Sequence, residues 1–144
     1  MPPSIVIDTS AVIALLLEEP NAEQIAITLA EAETIRVASP NLLEMSIVAV
    51  SKRGEEGYAK LRNLLERLNV VTIACDDAIV EIAFEAWKRY GKGRHPASLN
   101  FGDCFAYALA KQRAEPLLFK GEDFSQTDIL SALNSVESEI KEPP

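Results

Sequence analysis

Short β-branched segments alternate with longer helical segments along the whole chain, and this alternation limits the fold more than any other feature of the sequence. The first segment, Ser4–Ile7, is apolar and is followed at once by Asp8-Thr9-Ser10, which is typical of a strand that ends at a helix cap. Strands that alternate with helices favour an α/β domain with a mainly parallel sheet, because each helix returns the chain to the same edge.

These segments span almost the whole sequence of 144 residues. The predicted strands are 4–7, 35–38, 70–74 and 117–120. The predicted helices are 11–19, a segment from Asn21 that opens with a capping-box pattern, 42–53, 56–68, a segment from Asp76 to about Tyr90, and 103–113. A Gly-rich loop, 91–102, separates the last two helices. We therefore expect one domain over 1–134 and a polar tail over 135–144.

The composition gives a negative indication about function. The chain carries 14 Lys and Arg against 22 Asp and Glu, a net charge of −8, so it lacks the general attraction to phosphates that nucleic-acid binders use. The longest apolar run, 11–17, is too short to cross a membrane, and the N-terminus lacks the basic start of a signal peptide. With Cys75 and Cys104 in apolar stretches, these features indicate a cytoplasmic protein with no membrane partner.

Four acidic residues from distant parts of the chain fall at one kind of position, the exit of a strand or the entry of a helix. They are Asp8, Glu44, Asp103 and Asp123. The carboxyl ends of parallel strands share one edge, so these side chains can converge there. At ~5 Å and an effective dielectric of ~20, each pair of carboxylates repels by about 3 kcal/mol, so convergence requires cations or protons. Hard cations such as Mg²⁺ fit this need, and the chemistry they indicate is metal-assisted hydrolysis of a phosphodiester.

Each acid also has a purely structural interpretation. Asp8 is a possible helix cap, although Ser10 is better placed for that role if the helix begins near residue 11. Glu44 fits the third position of a capping box with Asn41. Asp103 is favoured by the helix dipole in a first turn, and Asp123 is compatible with an ordinary turn.

Other mechanisms have little support in the sequence. His95 is the only histidine, which excludes a two-histidine ribonuclease mechanism, and no nucleophile elbow, dinucleotide fingerprint or P-loop occurs. A phosphatase with Asp8 as nucleophile is one alternative, but Ser10 stands where such enzymes of the haloacid-dehalogenase type carry a second Asp. A phospho-accepting signalling module is another; Lys120 fits it, but the acidic pair beside the first strand and an acceptor Asp after a middle strand are missing.

Four segments together resemble the PIN-domain nucleases, and more narrowly the VapC-type toxins of bacterial toxin–antitoxin pairs. They are VIDTSAVIALLLEEP (6–20), NLLE (41–44), GKGRHPASLNFGDCFAYALAK (91–111) and LLFKGEDFSQTDI (117–129). The resemblance covers nearly the whole chain in the family's order. It implies a three-layer α/β/α fold and a Mg²⁺- or Mn²⁺-dependent endoribonuclease that cuts structured RNA, often transfer RNA. It also implies a VapB-type antitoxin as partner, and commonly a homodimer.

Carried over residue by residue, the resemblance assigns the family's acids to the same four positions. Their order is Asp8, Glu44, Asp103 and Asp123, with the metal held most directly by the first and third. The family's small hydroxyl residue falls on Ser10, with Thr9 as second choice. Glu122 and Asp128 are close alternatives for the fourth acid.

A basic cluster just before Asp103 changes the meaning of the acidic net charge. Its members are Lys88, Arg89, Lys92, Arg94 and His95. Such a cluster is usually a solvated surface, but beside a metal site it is suited to binding RNA phosphates. Lys52 and Arg53 are weaker candidates. Because several acids are assigned to one metal site, the distribution of charge matters more than the sum, and RNA is the expected substrate.

Overall fold

The computed structural model describes residues 3–133, which form a four-stranded sheet and five helices within that range. The strands are β1 (Ser4–Ile7), β2 (Thr34–Ala38), β3 (Val71–Ile73) and β4 (Leu117–Leu118). The helices are α1 (Thr9–Leu16), α2 (Ala22–Glu31), α3 (Ser39–Arg67), α4 (Asp77–Tyr90) and α5 (Phe101–Arg113), and a 3₁₀ turn (Asp123–Gln126) follows β4. The predicted tail, 135–144, lies outside the described residues.

All pairings between the four strands are parallel, in the order β3-β2-β1-β4. In the central strand, Val6 pairs with Arg36 of β2 on one side and with Leu117 of β4 on the other. The predicted α/β class with a mainly parallel sheet is therefore confirmed. The carboxyl ends of all four strands meet at a single edge, as parallel pairing requires.

Alternating residues of β1 divide the core into two halves. Ile5 and Ile7 pack with residues of the first three helices, such as Val12 and Met45. Val6 points to the opposite face and packs with residues of α4 and α5, such as Leu109. This alternation is the period of two that every strand has. Both faces of the sheet are covered by helices, so the three-layer α/β/α arrangement is confirmed.

The ends of the helices and strands differ from the sequence prediction by up to three residues, and α5 for example begins at Phe101 rather than at residue 103. α1 begins at Thr9 rather than at residue 11, because the Asp8 side chain accepts a hydrogen bond from the Ser10 backbone and caps the helix. The Asn21 side chain makes no capping hydrogen bond, so the capping box predicted there is wrong. Gly54 is not helical, with φ of 63° and ψ of −158°, and it divides α3 into two helical stretches, so the two helices predicted on either side of Gly54, over 42–53 and 56–68, are confirmed. No helix within 3–133, α3 included, is both long and apolar enough to cross a membrane.

Candidate active site

The four predicted acids lie at the edge where the strands end. Asp8 directly follows β1, and Glu44 lies in the first turns of α3, which begins directly after β2. Asp103 lies in the first turn of α5, and Asp123 opens the 3₁₀ turn after β4. Four elements that are distant in sequence therefore present their carboxylates at related positions, as the parallel sheet predicts.

Asp8 is buried and only partly satisfied by hydrogen bonds. Its side chain is 3% exposed, and its Oδ2 accepts hydrogen bonds from the Ser10 hydroxyl at 2.6 Å and the Ser10 backbone at 3.0 Å. Its Oδ1 is buried and has no hydrogen-bond partner among residues 3–133. Burial, with a smaller contribution from the Glu44 charge, raises the pKa of Asp8 to about 6 against the opposing effect of Ser10.

The structural interpretation of Asp8 is therefore correct, but it is incomplete. We expected Ser10 to be the better cap; this is wrong, because the earlier start of α1 places Asp8 at the capping position and Ser10 inside the helix. The Ser10 hydroxyl instead donates to Asp8 and accepts a hydrogen bond from the Lys120 backbone at 3.0 Å. A cap needs one oxygen, and the second oxygen of Asp8 is left for another partner.

Asp103 combines a capping role with an unfavourable electrostatic environment. Its Oδ2 accepts a hydrogen bond from the Asn100 backbone at 3.0 Å, and the Asn100 side chain accepts one from the Asp103 backbone at 2.9 Å. Burial is the largest cause that raises the pKa of Asp103 to about 7, and the charges of Asp8, Asp123 and Glu44 raise it further. The other three acids therefore act on Asp103 electrostatically. The pattern Asn-x-x-Asp before an apolar run was a readable signal for this capping box.

Glu44 is held by two side chains from neighbouring helix starts. Thr9 donates its hydroxyl to Glu44 Oε1 at 2.5 Å, and Asn41 donates its amide to the same oxygen at 3.3 Å. The capping box that we considered for Asn41 and Glu44 is wrong, because α3 begins at Ser39 and Ala38 occupies the cap position. Thr9, the second choice for the hydroxyl residue, thus serves Glu44, while Ser10 serves Asp8.

The fourth acid has three sequence candidates, and their surroundings differ. Burial works to raise the pKa of Asp128, but hydrogen bonds from Lys111 and Tyr107, both at 2.6 Å, outweigh it and hold that pKa below its usual value. Glu122 accepts local hydrogen bonds from Ser125. Of the three, only Asp123 is among the charges that raise the pKa of Asp103. The surroundings favour Asp123 over its two alternatives.

The chemistry of the donor set suits a divalent cation, although the donors are not close enough to form a ligand set in this structure. Within residues 3–133, no three acidic, histidine or cysteine side chains stand close enough to form a ready-made ligand set. The unpartnered Asp8 Oδ1 and the mutual repulsion of the acids are nevertheless what a bound cation would relieve. All the donors are carboxylates, the ligands that Mg²⁺ and Mn²⁺ prefer.

The basic cluster lies at the end of α4 and in the following loop, and most of its members contact aromatic rings. The Lys88 ammonium lies 4.8 Å from the Phe84 ring centre, and the Arg94 guanidinium lies 4.8 Å from that of Trp87. Arg89 lies 5.4 Å from the ring of Tyr90, and His95 meets the same ring edge-on at 5.1 Å. Lys92 is exposed.

The cluster is joined to the acidic edge through α5. Tyr90 contacts Tyr107, one turn beyond Asp103, at a ring separation of 5.8 Å. The loop itself leads directly into Asn100, the cap of α5. The weaker candidates, Lys52 and Arg53, instead line a groove between α1 and α3.

The two rival site chemistries find little support in the geometry. The Asp8 carboxylate, which a phosphatase would use as nucleophile, caps α1, and Ser10, where haloacid-dehalogenase-type enzymes carry a second Asp, donates its hydroxyl to Asp8. Lys120, which a phospho-accepting module would use, is paired with Glu19 at 2.9 Å.

Comparison with known proteins identifies the family. The PIN domain family model matches residues 5–130. A protein named Ribonuclease VapC from Mycolicibacterium smegmatis is 47% identical over 124 residues, which cover 86% of this chain and 96% of that protein. Ribonuclease VapC30 from Mycobacterium tuberculosis is 47% identical over 125 residues, covering 86% of this chain and 95% of that protein.

Solved structures agree with this result at the level of the fold. VapC20 of Mycobacterium tuberculosis, described as a Sarcin-Ricin loop cleaving toxin, superposes with a TM-score of 0.73 at 16% identity and covers 88% of this chain and 96% of its own. VapBC2 from Rickettsia felis, solved with a DNA fragment from its promoter, gives a TM-score of 0.68 at 15% identity over 89% of this chain and 96% of its own. The chain belongs to the PIN-domain family and, within it, to the VapC ribonucleases.

Proposed function

We propose that this chain is a Mg²⁺- or Mn²⁺-dependent endoribonuclease and the toxin of a VapBC-type toxin–antitoxin pair. The observation that carries the proposal is the buried Asp8 carboxylate, which has one oxygen without a hydrogen-bond partner among residues 3–133 and interacts electrostatically with Glu44 and Asp103. A fold does not keep such a group charged and unpaired without a counter-ion. The curated relatives are named ribonucleases, which supports hydrolysis of RNA as the reaction.

The residues of the chain divide into two roles in this proposal. Asp8 and Asp103 hold the cation most directly, with Glu44 and Asp123 completing the site. The cation, when bound, polarises the phosphodiester and lowers the pKa of a water molecule. Ser10 keeps Asp8 oriented by donating to Oδ2, which leaves Oδ1 available. The capping box around Asp103 occupies Oδ2 in the same way and leaves the second oxygen available.

The proposed substrate is structured RNA, with transfer RNA as the first candidate. We assign phosphate binding to the basic cluster, Lys88, Arg89, Lys92, Arg94 and His95. This assignment is supported by the position of the cluster, because the loop that carries part of it leads directly into Asn100, the cap of α5, three residues before Asp103. Cations near a cleavage site position the backbone, while loop shape and unpaired bases decide which RNA is cut.

The proposed protein partner is a VapB-type antitoxin. Two of the structural neighbours support it, since one is a toxin–antitoxin complex from Klebsiella pneumoniae, with a TM-score of 0.66, and the other is the VapBC2 complex. Co-expression of the chain with the protein encoded beside it is the direct check: we expect a stable complex in which RNA cleavage is suppressed.

A second copy of the chain is the proposed partner for an exposed apolar face on α4 and α5. Val80, Phe84 and Trp87 are 50%, 55% and 40% exposed at helical spacing, and Phe101 beside them is 80% exposed. They line a groove of about 350 Å³. In a symmetric dimer the same face of each copy meets its counterpart, so these exposed apolar side chains would be covered by the same side chains of the second copy.

Size-exclusion chromatography with light scattering tests this face. We expect the unaltered chain to be a dimer and Phe84→Lys to be a monomer with unchanged helix content. A monomeric unaltered chain would contradict the assignment.

The test of the proposed function is the mapping of new RNA 5′ ends after brief induction of the chain in cells. We expect a small set of cleavage sites with the unaltered chain and none with Asp103→Asn. Sites that persist with Asp103→Asn would contradict the nuclease assignment.

A further inference from the structure

Asn41 is a buried polar residue whose role the metal site does not by itself explain. It lies in the first turn of α3 and is 0% exposed. Its amide nitrogen donates to two acceptors, the Gly102 carbonyl at 3.0 Å and Glu44 Oε1 at 3.3 Å. One amide group therefore joins the start of α3, the side chain of Glu44 and the first turn of α5.

Gly102 shows how closely Glu44 is pressed against α5. A Cβ atom added at Gly102 would overlap the carboxylate of Glu44, with Oε2 as its nearest atom. The absence of a side chain at this position lets the carboxylate lie directly against the helix turn that carries Asp103. The spacing between Glu44 and Asp103 is therefore set by contacts with α5 as well as by α3.

The orientation of the Asn41 amide also points to this contact. Its Oδ1 is buried and has no hydrogen-bond partner within the part of the chain that the structure describes, while its nitrogen has two acceptors. Leaving a buried acceptor without a hydrogen bond is unfavourable. The amide is nevertheless oriented so that its nitrogen donates to Glu44 and Gly102, which indicates that these two hydrogen bonds outweigh the cost of the unpaired Asn41 oxygen. The single hydroxyl hydrogen of Thr9 is shared between the same oxygen of Glu44 and the Asn41 carbonyl, which links α1 to these contacts.

We propose that Asn41 is a positioning residue that holds Glu44 against Gly102, and so fixes the Glu44 carboxylate relative to Asp103 for cation binding. The inference rests on the proposed cation site. According to this inference, Asn41 affects cation binding by positioning Glu44 and has no influence on Asp123. A residue that merely filled the junction of three helices would affect cation binding equally in either background.

The experiment measures Mn²⁺ binding to the purified full chain by titration calorimetry, with the metal alone as probe. Asn41→Ala is expected to weaken Mn²⁺ binding about tenfold, the lower end of the effect of losing a contact that orients a metal ligand. In a Glu44→Gln background the same substitution is expected to change binding less than about twofold, because no charged Glu44 remains to be positioned. In an Asp123→Asn background the tenfold loss is expected to persist.

Thr28→Val is the matched control. Thr28 is a buried polar residue whose hydroxyl donates to the Gln24 carbonyl within α2, away from the acids. Its removal is expected to lower thermal stability without changing Mn²⁺ binding. Equal weakening by Thr28→Val, or an undiminished loss from Asn41→Ala in the Glu44→Gln background, would overturn the positioning role.

Gly102→Ala tests the same contact from α5 if Asn41→Ala does not fold. Alanine is favoured over glycine in a helix, so this variant is expected to fold and yet to bind Mn²⁺ more weakly, because its methyl group displaces Glu44. Its effect is expected to disappear in a Glu44→Ala background. Unchanged Mn²⁺ binding by Gly102→Ala would contradict the inference.

The unaltered chain separates failure of the cation site from failure of the positioning role. If it binds no Mn²⁺ at all, the proposed cation site is wrong. If it binds Mn²⁺ and the Asn41 and Gly102 variants bind equally well, only the positioning role of Asn41 is wrong.

Discussion

Two aspartates that contact or belong to α5 have the same carboxyl group in opposite environments. Asp103 lies at the start of the helix, where burial and three neighbouring acids raise its pKa to about 7. Asp128 reaches the same helix from the segment after β4, where Tyr107 and Lys111 donate to both of its oxygens and keep its pKa low. Asp103, Tyr107 and Lys111 are spaced four residues apart, so both environments lie along one side of the helix.

The comparison distinguishes a carboxylate whose charge stabilises the folded state, Asp128, from one whose charge destabilises it, Asp103. Asp128 is paired, and its charge is favourable in the folded state. The raised pKa values of Asp103 and Asp8 mean that charging either group in the folded state is unfavourable. Perturbed carboxyl groups gathered at a sheet edge are typical of functional sites. The following predictions test whether the two kinds of carboxylate behave differently.

The largest expected effect is on RNA cleavage. Asp8→Asn or Asp103→Asn is expected to lower the cleavage rate by about 1,000-fold or more, because losing the cation removes several kcal/mol of stabilisation from the transition state. Asp128→Asn is expected to keep cleavage within about threefold of the unaltered chain. Single-turnover rates on one cleaved RNA, with circular dichroism as a check of folding, measure both. Equal losses of cleavage rate in Asp103→Asn and Asp128→Asn would contradict the different roles of the two carboxylates.

The next effect is on stability against pH when divalent cations are removed. The folded-state pKa of Asp8, about 6, lies above its unfolded value, so the unfolding free energy falls as pH rises from about 4 to about 7. Asp8→Asn is expected to raise the unfolding free energy by up to about 3 kcal/mol at pH 7.5, and to have little effect near pH 4. Urea unfolding in EDTA at both pH values measures this.

Asp128→Asn is expected to have the opposite sign in the same experiment. The lowered pKa of Asp128 means that its contribution is present above about pH 4 and is lost on acidification. Because the pair with Lys111 is largely exposed, we expect Asp128→Asn to destabilise the chain by only about 0.5–1 kcal/mol at pH 7.5. An increase in the unfolding free energy of Asp128→Asn would contradict a stabilising role for the ion pair between Asp128 and Lys111.

Added cation is expected to change stability by slightly less than the Asp8→Asn substitution does at pH 7.5. Mn²⁺ at about 100 times its Kd stabilises a folded protein by about 2.7 kcal/mol, which corresponds to a melting temperature several degrees higher. We expect this increase in the unaltered chain and in Asp128→Asn, and no increase in Asp8→Asn. Differential scanning fluorimetry is sufficient. An increase of the same size in Asp8→Asn would indicate that the cation binds elsewhere.

The smallest effect concerns the basic cluster. Lys92→Ala is expected to weaken RNA binding about threefold and to reduce the slope of log affinity against log salt by nearly one unit, as the loss of one phosphate contact does. Arg113→Ala, an exposed cation at the opposite end of α5, is the matched control and is expected to change neither quantity. Equal salt slopes for Lys92→Ala and Arg113→Ala would remove Lys92 from the RNA interface.

The sequence predicts the fold and the acids better than it predicts how the acids are held. The apolar segment 4–7 predicts a strand that ends just before Asp8. The end of a strand can be recognised from neighbouring residues, so the position of Asp8 at the sheet edge is predictable. That Asp8 is also the cap of α1 depends on where the helix begins, two residues earlier than its apolar pattern indicates. The spacing of Asn41 and Glu44 is visible in the sequence, but it suggests a capping box that does not form. The contact of Thr9 with Glu44 and the close approach of Gly102 join three helices and have no local sequence signal. Such contacts depend on tertiary packing.

The most direct test of the central claim is cleavage of one RNA by the purified chain in EDTA, followed by addition of Mg²⁺ or Mn²⁺. The claim is that the carboxylates at the sheet edge form a cation-dependent nuclease site. We expect no cleavage in EDTA, recovery with either cation, and no recovery in Asp103→Asn. Undiminished cleavage in EDTA, or cation-dependent cleavage by Asp103→Asn at the rate of the unaltered chain, would contradict the account.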